Sequence, residues 1–585
     1  MAGNASAGAM ARWGKASLVP LYFLAATVFM TWPAVLRLAD AVVGQLGDNM
    51  HFAWLMGWFD QAIFQQGRWP FFAPQLNYPE GWQLARSETT PLQAVMGLPF
   101  SWIGGPLLAY NAVALLSFFL SGLTSYLWMR RLTGDRLASL LSGTLYAFLP
   151  FRIAHYRGGH LNILGTMWFP LFFMGLFAVL KRGRASRGEI ALGGIALGLV
   201  SLTSQYYFYV TFVTAGFVAA GYLLLFARDR LRDRALWSSM LGMGAAAAPL
   251  VALAVLPYLQ LAAQDSLPDR PVEAVSLGSA GLSDFLLPST DHFLWGEWVG
   301  EHFAREHWME GTLYVGAVAG GLSLLAVMLG QRGWPAEVRL LVLLAVVGGL
   351  LAMGTHLYWN EELVRVTLPA PLAQALGQET TAVPMPGYFL FRFLPYYAKM
   401  RTFKRTGALA LLAFCTLAGL GAAWLLKRVG GRRRTALGAA LLALALLDFY
   451  PGPFEEFTPV RPRPVDLWLA EQPGEGAVAE FPFELQEEQS HVFYSLTHGK
   501  PILGGFFNAF PPPQYRRIRP VMAGFPDEDS VDLLRDLGVR YVIVARRKYV
   551  DRLSLEASIR ALGLSLAVEF EDEAVFLLDL GSAER

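Results

Sequence analysis

The run EIALGGIALGLVSLTSQYYFYVTFVTAGFVAAGYLLLF, from Glu189 to Phe226, carries no charged residue after its first position. As a helix rising 1.5 Å per residue it would be about 57 Å long, against roughly 30 Å for the hydrocarbon core of a bilayer. One crossing cannot accommodate it, so the chain must turn inside it, and Ser201 to Gln205 is its most polar point. Two spans joined by so short a turn form a hairpin in lipid, and the reading is a polytopic membrane protein. The composition agrees. Of 585 residues, 54% are apolar or aromatic and 16% charged, below the roughly 25% charged of an ordinary soluble domain. A net charge of +2 gives no pull toward nucleic acid, and the single cysteine, Cys415, leaves no intrachain disulfide to form.

Outward from that hairpin, eleven apolar runs lie near 16–36, 107–129, 137–150, 161–180, 189–203, 206–226, 236–258, 312–330, 338–356, 406–426 and 435–450. Cytoplasmic loops are enriched in Lys and Arg. The basic clusters are Arg12/Lys15, Arg130/Arg131/Arg136, Lys181/Arg182/Arg184/Arg187, Arg228/Arg230/Arg232/Arg234, Arg332/Arg339 and Lys427/Arg428/Arg432/Arg433/Arg434. An even number of runs separates each cluster from the next. The expected topology is about eleven transmembrane helices in a bacterial or archaeal cell membrane, N-terminus cytoplasmic and C-terminal domain extracytoplasmic. Arg12 and Lys15 precede the first run as in a signal peptide, but no small-residue cleavage site follows, so it reads as a retained span.

The elaborate segments then fall outside: a first loop of about 38–106, loops of about 259–311 and 357–405, and a tail. The expected domains are a membrane domain over 1–450 and an extracytoplasmic α/β domain over 451–585. Pro451, Pro453, Pro459, Pro462 and Pro464 make a stiff linker into the latter. Within it, 465–471 and 529–537 look helical, 477–481 and the β-branched run 539–544 look like strands, and 566–570 with 574–578 can pair as a hairpin. No GxGxxG, P-loop or CxxC marks a nucleotide or metal site there.

Gly47-Asp48-Asn49 follows the first span, and then His51 to Phe59, apolar with two tryptophans, reads as a helix along the membrane interface. A carboxylate there could take a proton from an acceptor hydroxyl whose partner lipid stays in the bilayer. Asp48 could equally be a helix N-cap, since Asp is preferred at that position. Both readings are open from the residues alone.

The chain resembles the GT-C superfamily of integral-membrane glycosyltransferases that use polyprenyl-phosphate sugars, and more closely the YfhO-like and related bacterial GT-C membrane proteins. The resemblance rests on Gly47-Asp48, Asn77-Tyr78-Pro79-Glu80-Gly81, Gly105-Pro106, Ala109-Tyr110-Asn111, Pro150-Phe151-Arg152 and Gly159-His160. It continues through Asp284 to Ser289, Glu310 with Tyr314-Val315-Gly316, and Leu537 to Val542. It implies a GT-C-like membrane fold, Asp48 as the catalytic base on the acceptor, and inversion at the transferred sugar. The implied partners are a polyprenyl-phosphate sugar donor, a glycan, lipid or protein acceptor, and membrane lipids. The metal-dependent oligosaccharyltransferases carry a second acidic motif in the next outer loop. Here that position reads Arg152 to His160 with no acid, so no metal or other cofactor is expected, although His160 with Glu310 could ligate one.

A phosphate-bearing donor needs fixed cations, best supplied by the planar fork of arginine. Lys399-Met400-Arg401-Thr402-Phe403-Lys404-Arg405 places four of them on the face that should be poor in positive charge. Arg401 and Arg405, four apart, would share one face of a helix, and with Lys404 they are the candidate phosphate ligands. Lipid headgroups, or an inverted topology, would also account for the cluster. Asp284, Glu310, His160 and Tyr78 are the candidate sugar or acceptor ligands, acids among aromatics in the manner of a sugar site. A solvated acidic loop resting its tryptophans on the interface would look the same. The competing functions are a transporter or flippase of lipid-linked glycans and a non-catalytic assembly partner. Against a carrier stand spans almost without ionisable residues and very large outer loops.

Overall fold

A computed structural model describes residues 18–182, 185–264, 268–329, 333–474, 476–483, 488–505 and 511–580; Arg12, Lys15, Arg184 and Arg332 lie outside them. The chain forms two compact units. The first comprises Met1–Arg37, Val113–Leu256 and Leu267–Glu456, and the second Leu38–Ala112, Pro257–Ser266 and Phe457–Arg585.

The first unit is a bundle of apolar helices. The turn that Glu189–Phe226 requires is present: one helix runs Arg187–Thr203 and the next Gln205–Phe226. Ser204 between them is extended (φ −158°, ψ 125°) and its hydroxyl accepts the Tyr207 amide N–H. The Gln205 amide donates back to the Ser201 carbonyl at 2.7 Å, so the polar residues satisfy the backbone groups that the break exposes.

Among the described residues, six helices are long and apolar enough to cross a membrane: Pro91–Thr133, Arg136–Arg157, Gln205–Phe226, Arg234–Gln264, Pro335–Ala352 and Phe403–Leu426. Three shorter apolar helices are Leu18–Met30, Phe169–Lys181 and Ala317–Leu329. The two remaining runs lie on Arg187–Thr203, 17 residues long, and Gly431–Phe449, which carries Arg432, Arg433, Arg434 and Asp448. This is a membrane protein, with six helices of spanning length and composition among the described residues and the other expected runs on shorter or charge-bearing helices. Pro91–Thr133 is broken at Gly104 and at Gly105, whose φ of 83° suits glycine alone.

The second unit joins the first outer loop to the tail. Its four-stranded sheet has the order Ser565–Glu569, Glu573–Leu577, Val539–Ala545, Ala477–Phe481. The last two strands are parallel and the other neighbours antiparallel. Val539–Ala545 is central, as a β-branched run buried on both faces should be. Loop and tail are stitched by Ala41–Val43 paired antiparallel with Phe457–Pro459. Further along, the Tyr78 amide donates to the Ile502 carbonyl at 3.0 Å.

The run expected as a helix along the membrane interface forms the helix Asp48–Asp60, which is enclosed by protein. Asn49 through Phe59 are all buried, Trp54 and Trp58 stack at 5.6 Å, and Leu496 of the tail packs on Gly57 with no room for a Cβ. A helix apolar all round belongs in a core rather than half-submerged at a surface.

Candidate functional site

The site begins where the chain enters the helix Gly407–Leu426. The turn Phe403–Thr406 precedes it, and Met400 (ψ 140°) and Thr402 (φ −133°, ψ 100°) before that are extended. Arg401 and Arg405 therefore do not share a helical face, and the expectation drawn from their spacing is corrected. Their environments differ accordingly. Arg401 is exposed, and among the described residues its guanidinium has no ion-pair partner. Arg405 is enclosed and clamps Glu310: Nε lies 3.0 and 3.1 Å from the two carboxylate oxygens and Nη2 donates to Oε1 as well. Lys404 is buried and turned to Asp284, 3.6 Å away.

The segment is held on all sides. The Lys404 amide donates to the Gly278 carbonyl at 2.9 Å, and the Tyr206 hydroxyl donates to the Thr402 carbonyl. A Cβ on Gly278 would lie 2.3 Å from the Arg401 carbonyl oxygen and 2.8 Å from Thr402 Cα. Only glycine permits that approach. The neighbouring Arg270 donates through Nε to the Lys399 carbonyl at 3.3 Å. Its guanidinium is drawn below its usual value, first by burial and then by the like charge of Arg401. Arg270 and Arg401 thus oppose each other electrostatically, an arrangement that a bound anion relieves.

Behind Arg405 lie Glu310 and two histidines. His155 ends the helix Pro150–Arg157, His160 caps Leu161–Leu164, and their Nδ1 atoms meet at 2.7 Å. His155 Nε2 is buried without a hydrogen bond and sits 3.7 Å from Glu310 Oε2. Burial works to raise the Glu310 carboxyl, but the Arg405 guanidinium and the imidazoles outweigh it and hold it well below the usual carboxylate range. Asp284 is almost fully buried and bound by Arg305 at 2.9 Å, by Lys404, and by the Gly281 amide at 3.0 Å. That is the environment of an internal ion cluster rather than of an open sugar ligand.

His155, His160 and Glu310 are the one group among the described residues with spacing that could hold a metal ion. The donors do not fit one well. Two nitrogens around a zinc ion, each at about 2.0–2.1 Å, stand roughly 3.4 Å apart in a tetrahedron. Here the two Nδ1 atoms are at hydrogen-bond distance, 2.7 Å, and Glu310 already holds the Arg405 cation. Asp48 is not a member of the group.

Asp48 lies in the second unit, half-buried, as the first residue of the helix Asp48–Asp60. The N-cap is Gly47, and the Asn49 side chain accepts the Gly47 amide at 2.9 Å and donates to the Gln45 carbonyl at 2.8 Å. The N-cap position is thus not Asp48's. Burial drives His51, one turn on, down to about 3, against the charge of Asp48, so Asp48 has a neutral imidazole for a neighbour. Tyr78 spends its backbone on the tail, its carbonyl accepting from Gln514 at 2.7 Å.

Reading the sequence missed Arg270, His155, Arg305 and Tyr206. The first three sit in segments already marked as outer loops, and only their contacts distinguish them.

The fold is similar to that of a solved glycosyltransferase. The arabinofuranosyltransferase AftD from Mycobacteria matches with a TM-score of 0.54 at 16% identity, over 98% of this chain and 42% of that one. This chain therefore spans less than half the length of AftD. ArnT from Cupriavidus metallidurans, bound to undecaprenyl phosphate, gives 0.47 at 12% identity over 95% of this chain and 97% of its own. The oligosaccharyltransferase AglB from Archaeoglobus fulgidus, with an inhibitory peptide and a dolichol-phosphate, gives 0.45 at 14% over 90% and 69%. No curated protein sequence matches. Residues 21–379 match the family described as "Domain of unknown function (DUF6311)", and the chain belongs to that family.

Proposed function

We propose that the protein moves a sugar from a polyprenyl-phosphate donor to a glycan, lipid or protein acceptor on the extracytoplasmic face, with inversion. The observation that carries this reading, given the GT-C fold, is the exposed Arg401 opposed by the like charge of Arg270. Together they form an anion-seeking edge on a segment that Gly278 and Tyr206 hold in place. In the proposed reaction Asp48 takes the acceptor hydroxyl proton as the oxygen attacks the anomeric carbon. The bond from that carbon to the phosphate oxygen breaks, and its electron pair leaves on the phosphate. Arg401 and Arg270 hold the developing charge, the term that dominates when charge separates in a sheltered site. Arg405 and Lys404 act as positioning residues through Glu310 and Asp284, and His160 and Tyr78 serve as contacts to sugar or acceptor. The N-terminus is cytoplasmic and the tail extracytoplasmic on the parity of the basic clusters.

The test is kinetic. Arg401→Gln and Arg270→Gln should each raise the donor KM by about tenfold or more, a lost charge-assisted hydrogen bond. Unchanged donor KM and kcat in both variants would remove the phosphate assignment.

A further inference from the structure

The cation-rich end of the first unit contains a cavity that the reaction does not use. It has a volume of about 400 Å³ and is lined by Arg130, Thr133, Asp135, Arg136, Lys427 and Arg434, with Gly134 at its edge. It lies at the far ends of the helices that carry the candidate site. Arg405 sits at the start of Phe403–Leu426 and Lys427 just past its end, while His155 and Arg136 lie near opposite ends of Arg136–Arg157. Each helix is long enough to cross the hydrocarbon, so cavity and candidate site face opposite sides of the bilayer.

Among the described residues, the positive charge lining the cavity is not balanced by carboxylates. Asp135 is the one carboxylate, and it is spent: its side chain accepts the Leu137 and Ala138 amides and pairs with Arg434 at 2.7 Å. Among the described residues Arg130, Arg136 and Lys427 have no carboxylate partner. The Lys427 ammonium is steered instead over the Trp334 ring, 4.5 Å from its centroid. Arginine forks and a lysine converging on a concave space, at headgroup level, suit a phosphate. A cluster needed only for topology would be solvated and convex.

We propose that this cavity binds a phosphate-bearing ligand, in the form of an anionic phospholipid headgroup, on the bilayer face opposite the transfer site. The experiment uses the full chain in nanodiscs of phosphatidylcholine with phosphatidylglycerol, followed by native mass spectrometry of lipid retained on release. Wild type should retain phosphatidylglycerol, and the triple variant Arg130→Gln/Arg136→Gln/Lys427→Gln should lose roughly 100-fold in affinity for it. The triple variant Arg130→Lys/Arg136→Lys/Lys427→Arg should retain most of it, which separates lost charge from lost folding. A second basic segment, Arg228–Arg232, supplies the control, and Arg228→Gln/Arg232→Gln should change nothing. Retention that survives excess inorganic pyrophosphate supports the lipid. Displacement by pyrophosphate shows a soluble phosphate as the occupant and overturns the lipid assignment. Equal retention by wild type and the Gln triple variant, or an equal loss in the control, overturns the site altogether.

Discussion

Replacing Glu310 by Gln tests the core of the candidate site. The carboxylate holds Arg405 through Nε and Nη2, both side chains are mostly enclosed, at 20% and 13% exposure, and His155 stands behind. Gln keeps the shape and one acceptor but leaves the guanidinium without a counter-charge. Breaking a buried pair from one side costs about 3–5 kcal/mol, and because one acceptor survives and some solvent reaches the pair, about 3 kcal/mol is expected. That is a large part of a typical folding stability of roughly 5–15 kcal/mol. The pH dependence gives the sign. The folded carboxyl titrates below its unfolded value, so its contribution is complete above roughly pH 4.3 and fades as pH falls from there. Denaturant unfolding in detergent should therefore show wild type more stable than Glu310→Gln at pH 7, with the gap narrowing below about pH 4. Equal stability at pH 7, or a gap unchanged down to pH 3, would refute the reasoning. The double variant Glu310→Gln/Arg405→Met should recover part of the loss, because it removes the stranded charge.

Gly278→Ala should cost about 1–3 kcal/mol and depress transfer, because the added methyl meets the Arg401–Thr402 backbone rather than a flexible side chain; melting temperature and donor KM would both move. In the tail, Arg463 binds Asp466 at 2.7 and 3.0 Å and Glu480 at 2.9 and 3.0 Å. Arg463→Ala strands two buried carboxylates and should destabilise by about 3–5 kcal/mol, read as loss of the folded form in a denaturant series. Chelation by EDTA should leave transfer unchanged, since the His155 and His160 Nδ1 atoms lie at hydrogen-bond distance and Glu310 is taken by Arg405; loss on chelation restored by a divalent ion would contradict that.

Much of the fold was legible because it is local. The break inside Glu189–Phe226 followed from length alone, and the dense run 539–544 announced a buried strand by composition, which the structure extends to Val539–Ala545. What was not legible depends on distant segments meeting. Glu310 and Arg405 are 95 residues apart, and Asp284, Arg305 and Lys404 come from three segments, so no spacing could pair them. The four-residue interval between Arg401 and Arg405 would share a face only in an α-helix, and here the chain is extended at Thr402 before it turns through Phe403–Thr406. The burial of the helix Asp48–Asp60 was not legible because an apolar run with tryptophans reads the same at an interface as in a core. Its absence of a polar face was the overlooked signal.

The central claim is that this chain transfers a lipid-linked sugar with Asp48 as base. The most direct measurement reconstitutes the full protein in liposomes with radiolabelled polyprenyl-phosphate sugars and acceptor lipid, glycan or peptide, comparing wild type with Asp48→Asn. The account predicts movement of label to the acceptor by wild type and a loss of about 100-fold or more in Asp48→Asn, the range of a missing general base. Equal turnover by the two proteins would contradict it.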